Sequence, residues 1–176
     1  MDWPAWIGAT AAVATLAYLT WAIGHAKRAL ADGRKTRHGQ LILDIGTSWS
    51  SPEIGESREL LAQRSGPGMV ALVDSLFGPN PLHAPAQRAT ALDEYTRLAR
   101  LPYLIELIGV LALEDAITSR VVYTLWAGGI LGAWEGWEEA VRQLRIHQKE
   151  YEAYVNFEWI ANQMKAIHRE RREPPD

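Results

Sequence analysis

Carboxylates and a guanidinium set into apolar helical sequence are the residues with the most chemistry to offer. Glu106 interrupts the apolar run Leu101–Leu113, Glu158 lies in Tyr154-Val-Asn-Phe-Glu-Trp159, and Arg145 follows a tryptophan-rich stretch. A carboxylate in apolar surroundings needs a partner to offset its desolvation. A buried polar network is therefore expected, joining Glu106 or Glu158 to Arg145 or to a tyrosine hydroxyl. Such carboxylates can serve as acid and base, but a pin that holds helices in register is the simpler reading. Glu135, Glu138 and Glu139 could be read as an acid/base pair or as metal ligands. Glu138 and Arg142, however, stand four apart in the order that suits a surface helix pair.

The remaining chemistry is thin. His25, His38, His83, His147 and His168 are dispersed, with no Glu-x-x-His or His-Glu-x-x-His arrangement, so di-iron and zincin readings lack their ligands. There is no phosphate loop, dinucleotide fingerprint or Gly-x-Ser-x-Gly elbow. Cysteine is absent, which removes disulfides, thiolate metal sites and a thiol nucleophile. No catalytic, cofactor-binding or metal residue is assigned and no cofactor is expected; the balance leans away from an enzyme. A net charge of −3 argues against nucleic acid as a partner.

Helices must position these groups. Two-residue alternation and hairpin dipeptides are lacking, whereas helical spacing is frequent. Leu41, Ile42, Ile45 and Trp49 share one face. Ser50 and Glu53 have capping-box spacing with Pro52 in the first turn, which predicts a helix to about Arg64. Ser65-Gly66-Pro67-Gly68 is expected to break it, with a short helix over Met69–Phe77 beyond. Gly78–Pro85 reads as a loop. Three helices should follow: Pro85–Leu113 with a kink at Pro102, about Thr118–Gln148, and about Lys149–Arg171. Trp126, Ile130, Trp134, Trp137, Val141 and Leu144 form a stripe that suits core packing better than an aromatic groove. On the same helix Gly128, Gly132 and Gly136 recur every four residues. Glycine there costs about 1 kcal/mol each against alanine, so a close helix-packing ridge is expected, within the bundle or, as a second reading, between protomers of a homo-oligomer.

The N-terminus has a different character. Trp3 to Gly24 contains no charged residue; 22 residues of helix span roughly 33 Å, enough for a hydrocarbon core of about 30 Å. Trp3, Trp6 and Trp21 lie near its ends, as in an aromatic belt. Lys27, Arg28, Arg34, Lys35 and Arg37 follow, opposed only by Asp32. The positive-inside rule then puts the N-terminus outside and the rest in the cytoplasm, with those five cations near lipid headgroups. A cleaved leader would carry its positive charge before the run, and a core or surface-lying helix is the other competing reading. Leu101–Leu113 and Val121–Trp134 are also apolar but are too short to span.

Several pieces together resemble a known family: Ser51-Pro52-Glu53 with Arg58, Tyr103-Leu-Ile-Glu-Leu-Ile-Gly109, Val122-Tyr123, Trp134, Arg145, and Tyr154-Val-Asn-Phe-Glu-Trp159. They are similar to an uncharacterised bacterial family, a domain of unknown function. Its members join one N-terminal transmembrane helix, a basic stretch and a helical domain. The glycine ridge and the proline-rich loop at 78–85 depart from that pattern. The resemblance implies a membrane-anchored helical domain and no particular activity.

The expected architecture is thus all-α: a single N-terminal transmembrane helix followed by a small helical bundle. Residues 1–38 form the anchor and basic segment, 39–170 the helical domain, and 171–176 a flexible tail. The expected site is the bacterial inner membrane, with the lipid bilayer and an unidentified protein as partners and homo-oligomerisation as a possibility. The function read from this is an interaction, scaffold or signalling module at the cytoplasmic face. The alternatives are a small membrane-associated enzyme using the buried carboxylates, or a pore-forming effector.

Overall fold

Ser51 separates the first two helices of the computed structural model, which describes residues 38–172. The apolar run, the basic segment Lys27–Arg37 and residues 173–176 lie outside the described residues. The chain divides into two compact units, Met1–Leu41 and Ile42–Asp176, and the bundle belongs to the second. The described helices are α1 (described over residues 38–49), α2 (Pro52–Phe77), α3 (Pro85–Leu113), α4 (Ser119–Gln148) and α5 (Val155–Arg172). Among the described residues there is no strand. No described helix is long and apolar enough to cross a membrane.

Each of α2 and α5 packs against both α3 and α4, while α3 and α4 touch each other less. The four helices therefore form a bundle with cyclic order α2–α3–α5–α4, and the consecutive pair α3 and α4 sit diagonally. The core is built on the tryptophan stripe: Trp126, Ile130, Trp134, Trp137, Val141 and Leu144 are all buried. Trp134 meets Phe157 of α5 edge-on, with ring centroids 5.0 Å apart. This is ordinary core packing of an amphipathic helix. On the outer face Arg142 Nη2 lies 2.6 Å from Glu138 Oε1, so those acids form surface pairs.

Three local expectations need correction. The cap of α2 is Ser51, not Ser50: its hydroxyl accepts from Ile54 N at 3.4 Å, and Pro52 opens the helix. Helix α2 does not break at Ser65-Gly66-Pro67-Gly68 but runs through it. Pro67 removes one donor there, yet the buried face begun by Ile54 and Leu61 continues in Met69, Leu72, Val73 and Leu76. Packing of that continuous stripe outweighs the local propensity. Helix α5 starts at Val155 rather than near Lys149, because Lys149 (φ 56°) and Tyr154 (φ 58°) both enter the left-handed region and turn the chain between α4 and α5.

Pro102 stays inside α3, and α2 repairs the damage. A proline at 102 leaves the Leu98 carbonyl without its usual donor. Ser57, fully buried, donates its hydroxyl to Leu98 O at 2.8 Å and accepts from Leu101 N at 3.3 Å. One hydroxyl thus serves both the donor and the acceptor at the interrupted turn. The same seam carries Arg64 paired with Glu94, and Glu56 with Arg97 and Arg100 at 3.0 and 3.1 Å. At the α1–α2 corner Arg58 donates to Trp49 O at 2.7 Å and stacks over the Trp49 ring.

Candidate functional site at the α3–α5 junction

Glu106 is held on α3 so that its carboxylate meets the open N-terminus of α5. Oε2 accepts from Phe157 N at 2.7 Å; Oε1 accepts from Asn156 N at 3.2 Å and from Asn156 Nδ2 at 2.7 Å. The first amides of a helix have no partner within it, and a negative charge there also complements the helix dipole. A side chain fifty residues away in sequence thus caps α5. The approach is close: a Cβ on Gly109, one turn along α3, would fall 2.4 Å from Asn156 O. Only glycine allows that backbone contact.

Arg145 belongs to a second cluster. Its Nη1 donates to Glu158 Oε2 at 2.7 Å and its Nε to Ala153 O at 2.9 Å. It therefore fastens the 149–154 turn and the first turn of α5 to the end of α4. Of the three residues expected to share one network, Arg145 and Glu158 meet, whereas Glu106 serves backbone amides instead. Nor is the network wholly buried: Glu158 is 39% exposed beside a 17% exposed Arg145 side chain. The pieces containing Tyr103, Glu106 and Gly109, Arg145, and Tyr154 to Glu158 nonetheless converge on one junction.

Next to these clusters lies a cleft of about 430 Å³. Its aromatic walls are Phe77, Tyr95, Tyr103 and Tyr154. The rings pack in pairs, Phe77 with Tyr95 at 5.4 Å and Tyr103 with Tyr154 at 5.5 Å between centroids. Trp137 lies behind, 6.0 Å from both Tyr95 and Tyr154. Glu106, Glu150 and Glu152 supply carboxylates to the same cleft. Tyr154 is 94% buried (6% exposed), and its hydroxyl forms no hydrogen bond of normal geometry, although the hydroxyls of Tyr95 and Tyr103 are near. Burial, reinforced by Tyr95, pushes the Tyr154 phenol far above its ordinary range, so it stays protonated and able to donate. Burial raises the Tyr95 phenol as well. The left-handed backbone of so bulky a residue as Tyr154 is itself costly.

Of the expected ridge Gly128, Gly132 and Gly136, only Gly136 lies at a close approach. Nothing lies within 4 Å of a Cβ built on Gly128 or Gly132. The close approaches on α4 are at Gly129, where a Cβ would meet the Trp49 ring at 2.5 Å, and at Gly136, 2.9 Å from Leu61. Seven residues, two turns, separate those positions, and the face between them is set by α1 and α2. Gly132 opens instead onto a shallow cleft of about 420 Å³ between α2 and α4. The lipid-contact candidates Lys27, Arg28, Arg34, Lys35 and Arg37 lie outside the described residues.

Sequence reading did not find Ser57, Asn156 or the tyrosine cleft. For the cleft a signal existed: Tyr103 and Tyr154 head the two pieces that meet at the junction, so their adjacency follows once those pieces are paired. Among the described residues no group of histidines and carboxylates could hold a metal ion.

A model of one protein family, a domain of unknown function (DUF4760), matches residues 7–164. The chain belongs to this family. The match covers α3 and α4 and reaches into α5 as far as residue 164. No curated protein and no solved structure matches the chain.

Proposed function

We propose that this DUF4760 protein is a membrane-tethered helical interaction module. Residues Trp3–Gly24 anchor it in the bacterial inner membrane, Lys27–Arg37 face anionic headgroups, and the bundle meets a protein partner at the cytoplasmic side. The anchor rests on the uncharged run and the excess of cations after it.

The observation that carries the interaction reading is the outer face of α3. Tyr103, Leu107, Val110 and Leu113 follow helical spacing and are 60, 51, 38 and 47% exposed. Val155 adds to this face from α5, beside the Asn156 that packs on Gly109. Contiguous apolar exposure rimmed by polar groups marks interaction sites. The rim is acidic: Glu114, Asp115, Glu150 and Glu152 are exposed, and from Leu101 to Ser119 there is no Lys, Arg or His. The partner that fits is an amphipathic helix whose apolar stripe is flanked by lysine or arginine.

The enzyme reading needs Glu106 and Glu158 free for substrate. Glu106 already accepts three hydrogen bonds, and Glu158 is paired with Arg145. A pore would need Val121–Trp134 to leave the core, at the cost of exposing Trp126, Ile130 and Trp134.

Two measurements on the full chain test the proposal. Carbonate extraction with protease protection should leave the protein in the membrane with its C-terminal part on the cytoplasmic side; release into the soluble fraction removes the anchor. A photocrosslinker at Leu107, compared with one at the exposed Gln63 of α2, should give a discrete adduct that Val110→Glu abolishes. The adduct's partner should present a basic amphipathic helix. Crosslinking to a second copy replaces the partner with self-association, and equal smears at both positions end the docking reading.

A further inference from the structure

We propose that the tyrosine cleft binds a small organic cation, a quaternary or methylated ammonium. The lining decides the charge. Three carboxylates and four aromatic rings converge there, and none of the lining residues is Lys, Arg or His. An anion would be repelled. A neutral apolar ligand would gain nothing from the charge that Glu150 and Glu152 place at the rim.

The ring faces decide the kind of cation. The negative face of an aromatic ring attracts a weakly hydrated ammonium within about 6 Å of its centroid. Small metal ions prefer oxygen cages, and here most of the wall is carbon. The cleft volume of about 430 Å³ is at the small end of ligand sites, which run from about 300 to 1,000 Å³.

The rim decides between a free cation and a lipid headgroup. Glu150 and Glu152 are both exposed, and at the rim they disfavour a phosphate. That argues for the free cation over a lipid headgroup carrying the same ammonium. The cleft is complete within the bundle and does not need the anchor, although Tyr103, Glu150 and Glu152 also border the docking face.

Calorimetric titration of the full chain in detergent tests it, with choline chloride as the probe and sodium chloride as the salt control. Choline should bind saturably, and dimethylbutanol, its neutral carbon isostere, at least about tenfold more weakly. Tetramethylammonium, which shares the ammonium and lacks the hydroxyl, should bind within about threefold of choline. Tyr103→Leu keeps an apolar, exposed position and should weaken choline about fivefold while leaving the neutral isostere unchanged. Glu150→Gln with Glu152→Gln should weaken choline and flatten its salt dependence. Glycerophosphocholine should bind more weakly than choline. The proposal is overturned by absent saturable binding, by equal binding of the neutral isostere, or by a Tyr103→Leu chain that binds choline as before. Equal or tighter binding of glycerophosphocholine overturns the free-cation assignment in favour of a headgroup. All of these outcomes are read in solution, so a failed crosslink at Leu107 and a failed titration remain separate results.

Discussion

The two seams that α3 makes, with α2 and with α5, handle polar groups in opposite ways. Against α2, the break at Pro102 is repaired by one buried hydroxyl, and the charged side chains pair: Arg64 with Glu94, Glu56 with Arg97 and Arg100. Against α5, the helix start is capped by Glu106, the buried Tyr154 hydroxyl has only the neighbouring phenols of Tyr95 and Tyr103, and apolar side chains of α3 face solvent. The exposed apolar side chains set this side of α3 apart from the charge-paired α2 side and mark it as a binding face.

The contrast breaks most sharply at glycine. Gly109→Ala places a methyl against Asn156 backbone, which cannot yield as a flexible side chain does. The expected cost is about 3 kcal/mol in chemical denaturation. Gly132→Ala meets open space and should instead stabilise, by up to about 1 kcal/mol. Should both variants destabilise alike, the assignment of close packing to the α3–α5 seam fails.

Removal of the cap comes next. Glu106→Ala strips three hydrogen bonds and the charge from the start of α5, at a cost of about 2 kcal/mol. Hydrogen exchange should show the loss first at Asn156 and Phe157. If exchange instead rises uniformly across the bundle, α5 is not a separately capped element.

At the α2 seam, Ser57→Ala should cost about 1 to 2 kcal/mol, because the Leu98 carbonyl then lacks a donor in a dry site. Pro102→Ala restores that donor within α3. In the double variant, loss of Ser57 should therefore matter less, a coupling visible in a double-mutant cycle. Strict additivity would mean that the hydroxyl and the proline act independently.

Much of this architecture was legible beforehand, and the failures have physical causes. Helices α3 and α4 follow from a long periodic pattern bounded by Pro85, Thr118 and the tryptophan stripe. Arg145 and Glu158 meet because both sit at apolar helix faces where an unpaired charge is expensive. Pro67 misled because a local breaker was weighed without the buried stripe that spans it. Periodicity located the glycine-rich helix, but its facing depends on Trp49 and Leu61, which lie far away in sequence. Ser57 carries no pattern at all: a single hydroxyl becomes meaningful only once Leu98 and Leu101 are beside it. The turn at Tyr154 contains no glycine to announce a left-handed residue.

Tyr154→Phe is the gentlest change and sharpens the comparison from the other side. The hydroxyl is buried beside the Tyr95 and Tyr103 hydroxyls without a hydrogen bond of normal geometry, so deleting it removes a desolvated group and only an off-geometry phenol contact. Stability should be unchanged or rise by up to about 1 kcal/mol. The Ser57 hydroxyl, equally buried but doubly bonded, behaves in the opposite sense. If Tyr154→Phe instead destabilises by as much as Ser57→Ala, the Tyr154 hydroxyl has a protein partner in solution.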